Sequence, residues 1–265
     1  MEHLAWIRTL PGGAEWLEAA TRLAAEAAEQ WGLELGPPFP GGMVSLVLPA
    51  GDDAVLKVQF PHGEDEHEAE ALRVWDGDGA VRLLAHDEER HALLIERCVP
   101  GTHLRALGAD AALDVAVSLL PRLWKPAGPP FRPLAEEASG WAERIPAKWE
   151  AAGRPFERRL LEAALDALRE LPPTQGEQVL LHQDLHADNI LAAQREPWLA
   201  IDPKPLTGER EFGVTPLVRA FELGATRRDL LHRLDRLTSE LGLDRDRAAR
   251  WTLAQTVAWS FGSDY

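Results

Sequence analysis

The stretch LLHQDLHADNILAAQREPWLAIDPK, residues 180–204, places two histidines, three aspartates and an asparagine between short apolar runs. The runs QVLL, NILAA and WLAI each predict a short strand, with the turn QREP after the second. Polar groups that follow strands are commonly aimed into a cleft. A hairpin in this region would therefore bring Asp184, Asn189 and Asp202 together at the opening of one cleft.

Two carboxylates and one carboxamide are hard oxygen ligands, which suit Mg²⁺ bound with nucleotide phosphates better than they suit zinc. Phosphoryl transfer needs a carboxylate to orient the attacking hydroxyl and accept its proton, and it needs oxygen ligands for the metal. A phosphoryl-transfer site also needs a lysine that binds the phosphates and an acidic residue, on a helix, that forms an ion pair with this lysine. Lys57 on a predicted strand and Glu70 on the next predicted helix supply such a pair.

Two simpler interpretations remain open for the same residues. Asp and Asn favour turns after strands, so Asp184, Asn189 and Asp202 could be turn formers. His182 and His186 are four residues apart and with Asp184 could serve a zinc hydrolase. However, no cysteine or third histidine stands at ligand spacing, which favours structural roles for both histidines.

The length and composition predict a globular protein with a strongly acidic balance of charge. The chain has 265 residues, of which 45% are hydrophobic, and its 28 basic and 43 acidic residues give a formal charge of −15. This charge disfavours nucleic acid and anionic membranes as partners and favours a cationic small molecule or simple solubility. No obligate protein partner is evident.

The cysteine content and the absence of targeting signals predict a reduced, cytoplasmic protein. Cys98 is the single cysteine, which excludes an internal disulfide. The N-terminus lacks the order of a signal peptide, and no apolar run approaches the roughly 18 residues of a membrane helix.

The pattern before Pro100 predicts a helix, a hairpin, a second helix and a second hairpin. The first helix has Trp16, Ala20, Leu23, Ala27 and Trp31 on one face. The first hairpin turns at GDD, a charged helix ends at WDG, and the second hairpin turns at HDEER. We therefore predict a small N-terminal lobe over residues 1–99, joined through CVPG to the rest of the chain.

Strand patterns become rare after this point, and helical periodicity dominates. ADAALDVAVSLLPRLW, PFERRLLEAALDALREL, TRRDLLHRLDRLTSELGL and RDRAARWTLAQTVAWSFG each predict a helix, and PAGPPFRP predicts a loop. The predicted fold is α+β with two lobes: a small N-terminal antiparallel sheet plus helix, and a mainly helical C-terminal lobe over residues 100–265.

The segment HQDLHADN followed by IDP resembles the H-x-D-x-x-x-x-N catalytic loop and the metal-binding Asp of the protein-kinase-like fold, in the form used by the aminoglycoside phosphotransferase family. The blocks AVLKV, EAEALRVWDGDGAVRLLA and LLIERCVPGTHL match the streptomycin and hydroxyurea resistance kinase branch in the same order. The resemblance therefore covers nearly the whole chain.

The resemblance implies a two-lobe kinase that binds MgATP between the lobes. The N-terminal lobe, residues 1–99, would bind the nucleotide, and the C-terminal lobe, residues 100–265, would carry the catalytic loop and the acceptor pocket. It implies Asp184 as catalytic base, Asn189 and Asp202 as Mg²⁺ ligands, and Lys57 as the phosphate-binding lysine. Glu70 is the expected partner of Lys57. Glu66 and Glu68 are its rivals, because the sequence does not fix the phase of the helix to one residue.

The resemblance also implies where the nucleotide binds. The backbone of Glu96 to Cys98 should bind the nucleotide base, and Gly41, Gly42 and Ser45 in PGGMVSL could present N–H groups to phosphate. A G-x-G-x-x-G loop is absent. Pro203-Lys204 follows the metal-binding Asp where protein kinases have Phe-Gly, so activation-loop regulation is not expected.

The expected acceptor is a hydroxyl of a small, cationic antibiotic, with streptomycin or a related aminoglycoside first. Hydroxyurea, viomycin-like peptides, an unassigned metabolite, or an inactive nucleotide-binding module are the alternatives. Trp251, Trp259 and Phe261 could line the acceptor pocket or pack in the core. Carboxylates that could bind guanidinium groups are Glu136, Glu137, Glu143, Glu211 and Asp264.

Overall fold

The computed structural model describes residues 2–61 and 66–261. Its contacts divide the chain into two units. The first unit contains the residues up to Gly101 together with Ala192–Leu199, and the second contains Thr102–Leu191 and the residues from Ala200 onward. The inclusion of Ala192–Leu199 in the first unit is a feature that the sequence did not indicate.

The chain up to Gly101 forms an antiparallel sheet with helices against it. Its elements are a 3₁₀ helix at Glu2–Thr9, α1 at Gly13–Trp31, β1 at Ser45–Ala50, β2 at Ala54–Gln59, α2 at Glu68–Trp75, β3 at Leu83–Asp87 and β4 at Ala92–Glu96. The strand order is β1-β2-β4-β3, and each neighbouring pair is antiparallel. The predicted order of helix, hairpin, helix and hairpin is confirmed.

The core of this unit lies between α1 and the sheet. The apolar face of α1, with Trp16, Ala20 and Ala24, packs against β1 and β2. The helix ends at Gly32, whose φ of 65° is the left-handed conformation that glycine adopts without steric cost. All six residues of β2 are buried, because β2 is an inner strand covered by α1.

Helices dominate after Gly101. The main elements are α3 at Ala109–Leu123, β5 at Arg132–Pro133, α4 at Leu134–Ala151, α5 at Arg158–Glu170, β6 at Gln178–Leu181, β7 at Ile190–Ala192, β8 at Trp198–Ala200, β9 at Leu206–Glu209, α6 at Arg210–Gly213, α7 at Thr215–Val218, α8 at Arg227–Leu241 and α9 at Arg245–Trp259. Short 3₁₀ helices lie at Leu104–Leu107, Pro172–Thr174, Ala187–Asn189 and Phe221–Leu223.

Two small sheets position the polar loops. β5 is parallel to β9 and β6 is antiparallel to it, in the order β5-β9-β6, while β7 and β8 form the predicted hairpin. β9 requires glycine at position 208, because a Cβ there would lie 2.8 Å from the Cβ of Leu134. The two loops that leave β6 and β8 carry Asp184 and Asp202, respectively.

Helix α9 is the central support of the helical region. It packs against α5, α6, α7 and α8, and the side chain of Trp251 in its middle is completely buried. The indole N–H of Trp251 donates to the carboxylate of Glu209, and its ring meets Phe212 edge-on at 5.4 Å. Trp251 is therefore a core residue and not part of an acceptor wall. Among the described residues, no helix is long and apolar enough to span a membrane.

Candidate active site

The loop between β6 and β7, residues 182–189, is held in shape mainly by its own backbone. The N–H of Asp184 donates to the carbonyl of His182 at 2.8 Å, and the carbonyl of Asp184 accepts from the N–H of His186 at 2.9 Å. The side-chain amide of Asn189 donates to the same carbonyl at 2.9 Å. We call residues 182–189 the catalytic loop, after the segment of the protein-kinase-like fold that they resemble.

The carboxylate of Asp184 has two cationic or potentially cationic neighbours. Its Oδ2 lies 3.7 Å from Nζ of Lys204, and its Oδ1 lies 3.9 Å from Nε2 of His186. Burial raises the pKa of Asp184, and the charges of Lys204 and His186 act in the opposite direction. The side chain keeps 17% of its surface exposed, so a substrate hydroxyl can reach it.

His182 braces the catalytic loop against the segment that follows β8. A carbonyl can only accept, so Nε2 of His182 donates to the carbonyl of Ile201, at 2.9 Å. Burial lowers the pKa of His182 to about 4, and the ring is neutral near pH 7. The N–H of Lys204 donates to the carbonyl of His182, and the N–H of Ile201 to that of Asn189, each at 3.0 Å.

The two predicted metal ligands differ in exposure but both offer oxygen. Asn189 is buried, and because its Nδ2 donates to Asp184, its Oδ1 is the atom suited to a cation. Asp202 is exposed, with a φ of 59° that non-glycine residues seldom adopt outside functional sites and tight turns. Two oxygen donors of this kind fit Mg²⁺ bound together with phosphates.

Zinc fits these residues poorly. His182 already uses Nε2 for its hydrogen bond to Ile201. Within residues 2–61 and 66–261, no group of three or more His, Cys, Asp and Glu side chains is placed to hold a metal ion. The zinc-hydrolase interpretation therefore lacks the set of ligands that it needs.

Lys57 pairs with Glu68, so the prediction that Glu70 is its partner is wrong. Nζ of Lys57 lies 2.5 Å from Oε2 of Glu68, and Gln59 donates to the same oxygen at 2.8 Å. Glu70 instead lies 2.9 Å from Arg73. The physical reason is the phase of α2, which begins at Glu68 and turns its first residue into the core.

The predicted phosphate loop precedes β1. A Cβ on Gly42 would lie 2.3 Å from the carbonyl oxygen of Ser45, so the chain turns too tightly there for any residue but glycine. The indole N–H of Trp6 donates to the carbonyl of Met43 at 3.1 Å and anchors the loop. Ser45 is buried at the start of β1. The phosphate-binding role of Gly41, Gly42 and Ser45 stays a prediction.

The side chains of the predicted base-binding segment have structural partners. Arg195 binds both carboxylate oxygens of Glu96 at 2.8 Å and also donates to the carbonyls of Gly77 and Ala80. Burial raises the pKa of Glu96, but the hydrogen bonds and charges of Arg195 and Arg82 together outweigh it and lower that pKa. Burial raises the pKa of the Cys98 thiol to about 12, so the thiol is un-ionised at neutral pH. The role of the backbone of Glu96 to Cys98 in binding the nucleotide base stays a prediction.

Two cationic side chains near Asp184, those of Lys204 and Arg219, were not predicted as site residues from the sequence. Nζ of Lys204 lies 5.2 Å from the ring centroid of Trp259, and Cζ of Arg219 lies 4.9 Å from it. Trp259 was among the aromatic residues that we considered for the acceptor pocket. The unusual sequence Asp202-Pro203-Lys204 could have indicated that Lys204 belongs to the site. No motif in the sequence around Arg219 indicates the same for that residue.

Comparison with known proteins identifies the family. Residues 34–261 match the family model described as aminoglycoside/hydroxyurea antibiotic resistance kinase. The chain belongs to this kinase family. It is 44% identical over 257 residues to the hydroxyurea phosphotransferase of Kitasatospora aureofaciens, covering 92% of this chain and 73% of that protein. It is 40% identical over 256 residues to the streptomycin 6-kinase of Streptomyces griseus, covering 92% and 83%.

Solved structures confirm the two-lobe α+β fold of this kinase. Choline kinase LicA from Streptococcus pneumoniae superimposes with a TM-score of 0.66 at 15% identity, covering 92% of each chain. The ADP-bound aminoglycoside phosphotransferase APH(2'')-Ib superimposes with a TM-score of 0.61 at 13% identity, again covering 92% of each chain. The predicted family and the predicted enzyme class, a phosphotransferase, are confirmed.

The kinase also braces its catalytic loop from outside the stretch that carries the motif. The side chain of Gln255 on α9 donates to the carbonyl of Gln183 at 3.1 Å and accepts from the hydroxyl of Thr215 at 2.7 Å. Glu222 accepts from the N–H of Ala187 at 2.8 Å. These residues were missed, because their distance from the loop along the chain hides the contact.

The carboxylates that we considered for acceptor binding occupy other parts of the kinase. Glu136, Glu137 and Glu143 line a surface depression of about 300 Å³ on α4, where Glu137 pairs with Arg132. Glu211 on α6 accepts a backbone hydrogen bond from Asp244. Asp264 lies outside the described residues. Phe261 packs against Phe156 at 5.8 Å between ring centroids.

Proposed function

We propose that this kinase transfers the γ-phosphoryl group of ATP to a hydroxyl of a small cationic antibiotic, with streptomycin as the first candidate. The observation that carries the reaction is the placement of Asp184, whose backbone is held by hydrogen bonds within the catalytic loop and whose carboxylate is partly exposed. The observation that carries the acceptor is 40% identity to a streptomycin 6-kinase over nearly the whole chain.

Asp184 orients the acceptor hydroxyl and accepts its proton as the oxygen attacks phosphorus. A candidate base must come within hydrogen-bond reach of the proton it removes, and a carboxylate with an exposed edge allows this approach. The side-chain amide of Asn189 donates to the backbone carbonyl of Asp184, and this hydrogen bond holds the two residues in a constant position relative to each other. Rigid placement of this kind lowers the barrier, because the reactants meet in a productive geometry.

Asn189 and Asp202 are the residues that would hold Mg²⁺. The metal, when bound, neutralises charge on the phosphate oxygens. The hydrogen bonds among His182, Ile201, Asn189 and Lys204 fix the two ligand-bearing segments relative to each other. This bracing favours oxygen ligands in a constant arrangement.

The nucleotide is held by residues of the first unit. Lys57 would bind phosphate oxygens, and the buried carboxylate of Glu68 keeps its ammonium in place. The backbone of Glu96 to Cys98 would bind the base, and the loop at Gly41 and Gly42 would present N–H groups to phosphate. The Arg195 bonds to Glu96 stabilise the segment that contains this backbone.

The formal charge of the chain and one partly exposed carboxylate near the loop agree with a cationic acceptor, whereas Lys204 and Arg219 beside Asp184 are themselves cations. Glu222 has an Oε1 that lies 3.5 Å from Nδ1 of His186, and its side chain is 21% exposed. The formal charge of the whole chain is −15, which attracts cations from solution. Hydroxyurea is the second candidate acceptor, since a hydroxyurea phosphotransferase is 44% identical to this chain. We also propose that the enzyme works in the cytoplasm, where MgATP is available.

Release of ADP tests the proposal. Purified protein with MgATP is presented with streptomycin, other aminoglycosides, viomycin, hydroxyurea and simple amino sugars, with Asp184→Asn as the control variant. Turnover on streptomycin that is lost in Asp184→Asn supports the proposal. Turnover on hydroxyurea alone assigns the second candidate. Streptomycin turnover that persists in the variant would refute the role of Asp184.

A further inference from the structure

The segment Asp202-Pro203-Lys204-Pro205 has an unusually restricted backbone. The prolines on both sides of Lys204 are buried, and proline limits both its own φ and the conformation of the preceding residue. The N–H of Lys204 donates to the carbonyl of His182 at 3.0 Å. The starting point of the lysine side chain is therefore fixed relative to the catalytic loop.

Asp184 and Trp259 direct the side chain of Lys204. Its Nζ lies 3.7 Å from Oδ2 of Asp184 and 5.2 Å from the ring centroid of Trp259. Arg219 lies against the same ring and, like Lys204, attracts the carboxylate of Asp184. The distance to Asp184 exceeds that of a hydrogen bond, so the attraction between them is electrostatic.

This placement puts a cation beside the path of the transferred group. A hydroxyl that hydrogen-bonds to Asp184 has its oxygen within about 3 Å of the carboxylate. The phosphorus that it attacks lies roughly 3 to 3.5 Å further on. An ammonium close to the same carboxylate can reach the oxygens of that phosphoryl group, and lysine offers three donors on a compact charge.

We propose that Lys204 is a catalytic residue whose ammonium contacts the transferred phosphoryl group, and that Trp259 is its positioning residue. This inference rests on the proposed kinase function. As the bond between the acceptor oxygen and phosphorus forms, the bond from phosphorus to the β,γ-bridging oxygen breaks and ADP leaves. The hydroxyl proton goes to Asp184, while Lys204 remains an ammonium and stabilises the negative charge.

Nucleotide affinity tests this contact without any acceptor. Calorimetry measures the binding of MgADP and of the Mg²⁺ complex of the β,γ-imido analogue of ATP to wild type, Lys204→Met and Lys148→Met. Lys148→Met is the matched control, because this substitution removes the same positive charge from a lysine on α4. We expect Lys204→Met to bind the analogue about tenfold more weakly and MgADP unchanged, because only the γ-phosphoryl contact is lost.

Equal weakening of both nucleotides, or of neither, in Lys204→Met would overturn the proposal. Trp259→Leu should lower the affinity for the analogue alone by about threefold, and Trp259→Phe should restore it because the ring face is kept. An effect of Trp259→Leu on MgADP as well would refute its positioning role. A wild-type protein that bound neither nucleotide would overturn both this inference and the proposed function.

Turnover gives the second readout. With an active acceptor, kcat of Lys204→Met should fall about 100-fold or more with little change in the acceptor KM. Lys204→Ala should regain activity with added ethylamine, which a purely structural residue would not show. Unchanged kcat in Lys204→Met would contradict the proposal. If wild type phosphorylates no acceptor in the panel, the proposed acceptor fails, while the nucleotide affinities still decide the role of Lys204.

Discussion

The ammonium of Lys57 lies 2.5 Å from Oε2 of Glu68, and both side chains are almost completely buried. A buried charge that loses its partner is strongly unfavourable, so the two side chains depend on each other. Gln59 donates to the same carboxylate oxygen and holds it in place. The position of the lysine ammonium is thus set by the first turn of α2.

Glu68→Gln should lower kcat/KM for ATP by about tenfold or more, because Lys57 loses the charge that orients it. Glu70→Gln is the matched control, since Glu70 lies on the same helix and contacts Arg73. We expect the control to stay within about twofold of wild type. Steady-state kinetics on the three proteins decides the matter, and a larger loss in Glu70→Gln would reverse our assignment.

Asn189→Ala should raise the Mg²⁺ concentration needed for half-maximal turnover by about tenfold, because an oxygen ligand and a brace of the catalytic loop are lost together. Asp188→Asn is the neighbouring control. The carboxylate of Asp188 pairs with Arg105 at 2.7 Å, and its loss should leave the Mg²⁺ requirement unchanged. A titration of turnover with Mg²⁺ separates the two variants, and the same requirement in wild type and Asn189→Ala would exclude Asn189 as a ligand.

Arg195→Ala should destabilise the protein by about 2 kcal/mol, because Glu96 and the carbonyls of Gly77 and Ala80 lose their charged donor. This corresponds to a fall in Tm of about 5 °C. Arg154→Ala removes an exposed pair with Glu150 and should change Tm by about 1 °C at most. Thermal unfolding followed by circular dichroism compares them, and equal shifts would show that the Arg195 bonds add no stability.

His182→Gln should reduce the dependence of stability on pH. Burial lowers the pKa of His182 from its usual 6.5 to about 4 in the folded protein, so the unfolded chain binds the proton more readily. The stabilisation is present above pH 6.5 and is lost as the pH falls toward 4, which amounts to about 2 kcal/mol at pH 5. Urea unfolding gives the free energy of unfolding at pH 7.5 and at pH 5 for wild type and His182→Gln. If the loss between the two pH values is the same in both proteins, His182 is not a buried histidine that folding keeps neutral.

Much of the fold was predictable where a single periodic pattern dominates. The apolar stripe of α1 and the two hairpins of the first sheet were predicted, because the apolar residues of these elements recur with a regular period and are the ones buried in the structure. Helix α4 was missed because Gly140 and Pro146 interrupt its pattern, although Trp141 and Ile145 are buried on its inner face. β5 has only two residues, and β9, with the sequence LTGE, lacks the apolar run that marked β6, β7 and β8.

The candidate site was predictable only where its residues are neighbours in sequence. The catalytic loop and Asp202 stand close together along the chain. The partner of Lys57 was assigned to Glu70 because the phase of α2 depends on where the helix begins, which the sequence left open between three glutamates. The contacts of Gln255 and Trp259 with the loop region depend on how α9 packs, which no local pattern encodes.

Mass spectrometry of the acceptor after incubation with MgATP tests the central claim most directly. Streptomycin and hydroxyurea are offered together to wild type and to Asp184→Asn. We predict that wild type adds one phosphoryl group to streptomycin and that Asp184→Asn adds none. Phosphorylation of neither compound by wild type that binds MgATP would contradict the proposed acceptor class, and phosphorylation of streptomycin by both proteins would contradict the mechanism.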